Sequence, residues 1–216
     1  MIISPGRGYV FVHIPKTGGT ALSLALEARA KKDDILIGDT PKAQRRRKRL
    51  KGAVTRGRLW KHSTLADIDG LLPEGQLETL FAFTLVRNPW DRLVSYYHWL
   101  REQDFDHPAV RLAKGMDFEG FVLDPATEAS LSASPAASYM RRASGEVQCH
   151  AYIRLEQFAQ DAQPLFDHLG FDLTLDRHNA SRREADHRGY YSERTRDAVA
   201  RMCAQDILQF GYEFDG

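Results

Sequence analysis

Apolar residues in this chain cluster in short runs separated by polar turns. Tyr9–Val12 is an unbroken apolar run, and Phe81–Val86 is apolar at every position but Thr84. Short runs that do not alternate with polar residues mark strands buried on both faces, as in parallel sheets. Val147 to Leu155 reads as a further strand. Ala21 to Ala30 predicts a helix. Between Glu156 and Leu169, Phe158, Ala162, Leu165, Phe166 and Leu169 recur at helical spacing. Ser192 is placed to cap a final helix whose apolar face is Val199, Cys203, Ile207 and Phe210, ending before Gly211. The Ala/Ser-rich stretch 126–138 predicts a loop or short irregular helices, and no internal repeat occurs. Strands alternating with helices predict an α/β fold with a mostly parallel central sheet flanked by helices. At 216 residues the chain suits one sizeable core, so a single domain over 1–216 is expected.

Two strand-to-helix junctions carry the chemistry. The first is His13-Ile14-Pro15-Lys16-Thr17-Gly18-Gly19-Thr20, between the Tyr9 run and the first helix. Such a turn presents backbone N–H groups and the positive end of a helix, the combination that holds a phosphate. Gly18 and Gly19 keep side chains away from the backbone, Lys16 adds a positive charge, and Thr17 and Thr20 add hydroxyls. The usual nucleotide loop is G-x-x-x-x-G-K-[ST]. Lys16-Thr17 fills its last two places, but Val10 and Pro15 stand where its glycines belong. The standard ATP or GTP loop is therefore excluded.

At the second junction the Phe81 strand runs into Arg87-Asn88-Pro89-Trp90-Asp91-Arg92-Leu93-Val94-Ser95-Tyr96-Tyr97. Asn88 suits an N-cap, Pro89 the first helical position, and Asp91 the positive helix start. Arg87 falls at the carboxyl end of a strand, where ligands bind in open α/β sheets. Ser95 lies about 9 Å along the helix at roughly 1.5 Å per residue, so a guanidinium and a hydroxyl can share one anion.

Together these segments resemble the sulfotransferases. Pro15-Lys16-Thr17-Gly18-Gly19-Thr20 is similar to their 5′-phosphosulfate loop, and Arg87 through Ser95 to their 3′-phosphate motif. The wording is nearest the carbohydrate-type group, sulfotransferase family 2. The likeness continues in Arg154-Leu155-Glu156-Gln157-Phe158 and from Asp206-Ile207 to Phe210-Gly211-Tyr212, so it spans nearly the whole chain. The resemblance implies a P-loop-like three-layer sandwich in a compact, soluble, bacterial-type member. It implies the donor 3′-phosphoadenosine 5′-phosphosulfate (PAPS), the product 3′-phosphoadenosine 5′-phosphate (PAP), and a hydroxyl acceptor, a carbohydrate above all. Lys16, Thr17, Gly18, Gly19 and Thr20 would then hold the 5′-phosphate, with Lys16 stabilising the leaving group, and Arg87 with Ser95 the 3′-phosphate. A sulfuryl group carries less charge than a polyphosphate, and the eight histidines show no metal-ligand spacing, so no metal is expected.

An acceptor hydroxyl needs a base, and histidine suits that role near neutral pH. The expected base is His62, in Leu59-Trp60-Lys61-His62-Ser63-Thr64, where a related position of family 2 glycan enzymes carries one. His98, His107 and Glu156 remain candidates, and His13 reads as structural. An ATP-dependent small-molecule kinase and a non-catalytic module for nucleotide or anionic glycan are the alternatives.

Composition changes little: 43% hydrophobic and 27% charged residues are ordinary for a globular protein. Cys149 and Cys203 form no disulfide framework and suggest a reducing compartment. With no signal peptide or transmembrane stretch, a cytoplasmic location is expected. Charge is less even. Seven of the ten residues from Lys42 to Lys51 are basic in a chain of net charge +1, which leaves the remainder acidic. Such a run suits an anionic glycan or glycolipid acceptor electrostatically. It has no interleaved aromatic residue and no accompanying nucleic-acid fold, so nucleic acid is not an expected partner. Arg182, Arg183, His187 and Arg188 form a second basic stretch, which the resemblance would bring to the 3′-phosphate like the C-terminal loop of other sulfotransferases; no individual role is assigned.

Overall fold

The computed structural model describes residues 1–175 and 183–216; Arg182 lies outside them. In chain order the elements are β1 (Ile2–Ser4), β2 (Tyr9–Val12), α1 (Gly19–Ala28), β3 (Ile35–Leu36), α2 (Pro41–Arg46), β4 (Phe81–Val86) and α3 (Pro89–Arg101). Then follow α4 (Pro108–Gly115), α5 (Phe118–Leu123), α6 (Pro125–Ser132), α7 (Ala136–Tyr139) and β5 (Ala151–Arg154). The last are α8 (Phe158–Asp161), α9 (Gln163–Leu169), α10 (Glu193–Met202) and α11 (Ala204–Phe210). They divide into two compact units. The first is the described part of Met1–Val86 and Ala136–His178, and the second that of Arg87–Pro135 and Asn179–Gly216.

The first unit holds the sheet, in the order β3-β1-β2-β4-β5. β2, β4 and β5 pair in parallel, and β1 runs antiparallel to both of its neighbours. All strands but β1 therefore point the same way, the mostly parallel, helix-flanked sheet expected. Period-two alternation sorts each strand onto two faces. Tyr9, Phe11, Phe83, Leu85 and Ile153 pack with Leu22 and Leu26 of α1 and with Leu165 and Phe166 of α9. Phe83 anchors this face, its ring 5.4 Å from Phe11 and 5.8 Å from Tyr9. Val10, Val12 and Ala82 face the other way, onto Leu65, Ile68, Leu80 and Met140. From β2 the chain crosses through α1 to β3 on one side, whereas β4 and β5 lie on the other. The carboxyl end of β2 is thus the switch point where such sheets bind ligands.

The second unit is helical. Trp90, Leu93, Val94, Tyr97 and Leu100 of α3 bury against Val110, Phe118, Phe121, Ala198 and Val199. Asn88 caps α3 as expected, its Oδ1 accepting from the Trp90 N–H at 3.1 Å while its Nδ2 donates to the Glu213 carbonyl at 2.9 Å. Ser192 caps α10 through a reciprocal exchange with Thr195.

Where elements differ from expectation, turn chemistry is the reason. β5 begins at Ala151 because residues 141–147 close a tight turn in which Gly145 has φ 92° and Val147 only bridges Arg141. The stretch expected as one helix from Glu156 splits at Ala162, since Pro164 has no N–H to continue the ladder. The last helix breaks at Cys203 and ends at Gly211, as expected, in the left-handed conformation. Residues 125–139 form the short helices α6 and α7. Among the described residues no helix is long and apolar enough to cross a membrane.

Candidate active site

In the first unit, β2 ends at Val12 and the chain turns through His13–Gly18 before α1 begins. Two residues of this turn take left-handed backbone: Gly18 at φ 84° and Lys16 at φ 66°. Lys16 is the one non-glycine residue with positive φ among the described residues, and a side chain there costs roughly 1 kcal/mol. Gly18 starts α1 two residues earlier than the apolar pattern suggested, which brings the first N–H groups of the helix to the loop. Glycine has no side chain to cap these N–H groups, and the first turn holds no acidic residue.

The glycines have a packing role that composition did not reveal. A Cβ on Gly18 would lie 2.7 Å from Leu155, and one on Gly19 would lie 2.1 Å from the His13 ring. Leu155 belongs to the Arg154–Phe158 segment, so that segment braces the loop. It is itself fixed by Arg154, whose Nε and Nη2 donate to Asp161 at 2.7 and 3.0 Å. Thr17 is buried and donates its hydroxyl to the Ile14 carbonyl at 2.9 Å, closing the turn from inside.

His62 arrives at the same place from a distant part of the chain. Its Nδ1 lies 2.7 Å from the His13 carbonyl oxygen. A carbonyl only accepts, so Nδ1 carries the proton and Nε2 of the neutral ring keeps its lone pair. The ring meets His13 edge-on at 4.7 Å and Trp60 at 5.0 Å. Ser63 holds this turn with bonds to the Arg58 and Trp60 carbonyls at 2.9 Å each. Burial lowers the His62 pKa to about 4; the bond to His13 opposes that shift and the Lys61 charge adds to it. His13 is pushed well below the ordinary value, again first by burial. Both imidazoles are neutral at pH 7. His13 thus supports Gly19 with its ring and His62 with its backbone.

The other base candidates are placed differently. His107 accepts from the Ala109 N–H as the cap of α4, and Glu156 is exposed in a short turn. His98 is on α3 in the second unit.

In that second unit Arg87 donates from Nε and Nη2 to one oxygen of Asp91 at 2.8 and 2.5 Å. The other Asp91 oxygen accepts from Arg183. Asp91 is therefore a bridge between two guanidiniums. Its pairing with Arg87 was legible as an i,i+4 spacing, whereas Arg183 was only one member of a basic stretch. Of its other described residues, His187 donates to the Phe214 carbonyl at 2.9 Å, and Arg188 pairs with Asp186. Ser95 is buried on α3 about one turn beyond Asp91.

The basic run at 42–51 forms α2 and the turn after it. Lys42 donates to the Glu27 carbonyl, Arg46 to those of Lys31 and Asp34, and Arg49 to that of Lys32. These cations satisfy carbonyls at and beyond the C-terminal end of α1, where positive charge is favoured. Ten helical residues, about 15 Å, separate that end from the Lys16 loop.

No curated protein matches the chain. Among known families, the sulfotransferase family matches residues 1–213, across both units. The strand-end loop with its strained lysine, the oriented neutral histidine and the Asn88-capped helix start that follows Arg87 all fall within that match, and the chain belongs to the sulfotransferase family.

Proposed function

We propose that this chain moves the sulfuryl group of PAPS to a hydroxyl of a carbohydrate acceptor, with both units serving one catalytic domain. Family membership supports sulfuryl transfer as the reaction class. The observation that carries the mechanism is the bond from His62 to the carbonyl of His13, the residue whose ring rests on Gly19. It brings a neutral imidazole with a free Nε2 to the loop that carries Lys16.

In this reading the donor supplies an activated sulfur bound to a phosphate leaving group. The acceptor oxygen attacks that sulfur in line and loses its proton to His62 Nε2, while the bond to the bridging oxygen breaks. Lys16 and the N–H groups of Gly18, Gly19 and Thr20 stabilise the charge that returns to the phosphate. Thr20 adds a hydroxyl donor, and Thr17 acts by holding the turn. Burial disfavours the imidazolium of free His62, and negative charge from the donor makes protonation easier. Arg87 and Ser95 recognise the 3′-phosphate, the group that distinguishes this donor from ATP. No step calls for a metal.

The acceptor reading rests on the carbohydrate-type wording of the motifs. The basic run lends it less support than its charge suggested, because its anchored cations lie at the far end of α1. Cytoplasmic residence is supported by Cys149 and Cys203, free thiols whose pKa values burial raises to about 12 and 11.

Thermal unfolding with PAP, with ATP and Mg²⁺, and with heparin separates this reading from a kinase and from a binding module. PAP at a hundred times its Kd should stabilise by about 2.7 kcal/mol, well above ATP. Greater stabilisation by ATP with Mg²⁺ would favour a kinase. Stabilisation by heparin alone would favour the module.

A further inference from the structure

His98 has a chemical oddity that the reaction above does not use. It lies on α3 seven residues after Asp91 and three after Ser95, so all three share one stripe of the helix. Its Nε2 is buried and has no hydrogen-bond partner among the described residues. The ring meets Tyr97 edge-on at 5.5 Å and Tyr190 at 5.2 Å. Arg183 faces it from the segment carrying Tyr190, and Arg101 and Glu102 face it from the end of its own helix. That segment is tied to itself, the Glu184 N–H donating to the Tyr190 hydroxyl at 3.1 Å. The same Arg183 grips Asp91. An orphaned polar atom in a buried position costs free energy that a ligand bond can recover.

We propose that His98 Nε2 is a further contact for the donor's 3′-phosphate, beside Arg87, Ser95 and Arg183. The inference rests on assigning that phosphate to Arg87 and Ser95. Asp91 holds the two guanidiniums until the phosphate takes its place on Arg183, and that exchange uncovers Nε2. In the free protein burial first, then Arg183 and Arg101, lower the His98 pKa and keep the ring neutral. A bound dianion favours the imidazolium, so Nε2 takes a proton from solvent and donates it to a phosphate oxygen. Binding then takes up a proton between the free and bound pKa values of His98. Affinity for PAP rises as pH falls through that window.

The test is titration calorimetry of the full chain with PAP and with 5′-AMP, which lacks the 3′-phosphate. It runs from pH 8.5 to 6.5 in buffers of different ionisation enthalpy, on wild type, His98→Gln and His98→Leu, with a thermal melt of each. Wild type should prefer PAP, with proton uptake. His98→Gln, a donor that does not titrate, should keep most of the preference but lose the uptake. His98→Leu should lose about tenfold of the preference, the scale of one hydrogen bond to a charged group, and should melt no lower than wild type because the orphan is gone. Unchanged PAP affinity and unchanged proton uptake in both variants would overturn the role of His98. A lower melt for His98→Leu with unchanged PAP affinity would assign His98 to packing instead. If wild type binds PAP and 5′-AMP equally, the 3′-phosphate assignment fails first, and the inference falls with it.

Discussion

Single residues at the loop carry opposite demands. Lys16 holds left-handed backbone that glycine adopts without strain. Lys16→Gly should therefore be more stable than Lys16→Ala by about 1 kcal/mol, the reverse of the order in a helix interior. Both should lack turnover. Equal stability, measured by denaturant unfolding, would mean the loop relaxes without its lysine. Gly19 makes the complementary case. A methyl group there must displace a buried imidazole, so Gly19→Ala should cost roughly 1–3 kcal/mol. It should also lower turnover by disturbing the carbonyl that orients His62. His62 predicts the pH dependence. Its folded pKa, about 4, lies below the ordinary 6.5, so the unfolded chain binds more protons between those values. Stability should fall as pH drops through that window, less steeply in His62→Gln. A melting temperature flat from pH 6.5 to 4 would contradict a buried neutral His62.

Elements show how much a sequence can say. β4 has the limits that its apolar run predicted, and the Asn88 cap was legible from residue types alone. Asn88→Ala should cost about 1–2 kcal/mol, because it removes a cap and leaves the Glu213 carbonyl without its donor. A loss of a few tenths would show that water replaces both. Turns were harder to read. The break at Pro164 was available in principle, but the apolar spacing of Phe158 through Leu169 continues across it. The basic run shows that charge is not by itself a partner signal, since three of its seven cations, Lys42, Arg46 and Arg49, bond internal carbonyls. A cation that meets a backbone carbonyl leaves no matching acid in the sequence. Arg46→Ala should accordingly lower stability and leave acceptor KM unchanged. A rise in KM without loss of stability would return the run to the acceptor site.

At the scale of the whole molecule, the two strand-end motifs point to the family from residue types alone, and the match across residues 1–213 bears that out. Their residue types, order and neighbouring apolar runs are local, which is why they were readable. What holds them is not local. The His13 carbonyl reaches His62 across 49 positions, Leu155 rests on Gly18 from the other end of the sheet unit, and Arg183 meets Asp91 across 92. A backbone carbonyl or the space beside a glycine leaves no signature in residue type. Asp91 and Arg183 carry charge, yet only the fold shows that they pair.

Release of PAP from PAPS over a panel of carbohydrate, glycolipid and aryl hydroxyl acceptors tests the central claim most directly, with wild type, Lys16→Ala and His62→Ala side by side. Wild type should release PAP with a carbohydrate acceptor. His62→Ala should lose about 10²–10⁴ in kcat while binding PAP as tightly as wild type, and Lys16→Ala should be inactive. No acceptor-dependent release by wild type, or full activity in His62→Ala, would contradict the account.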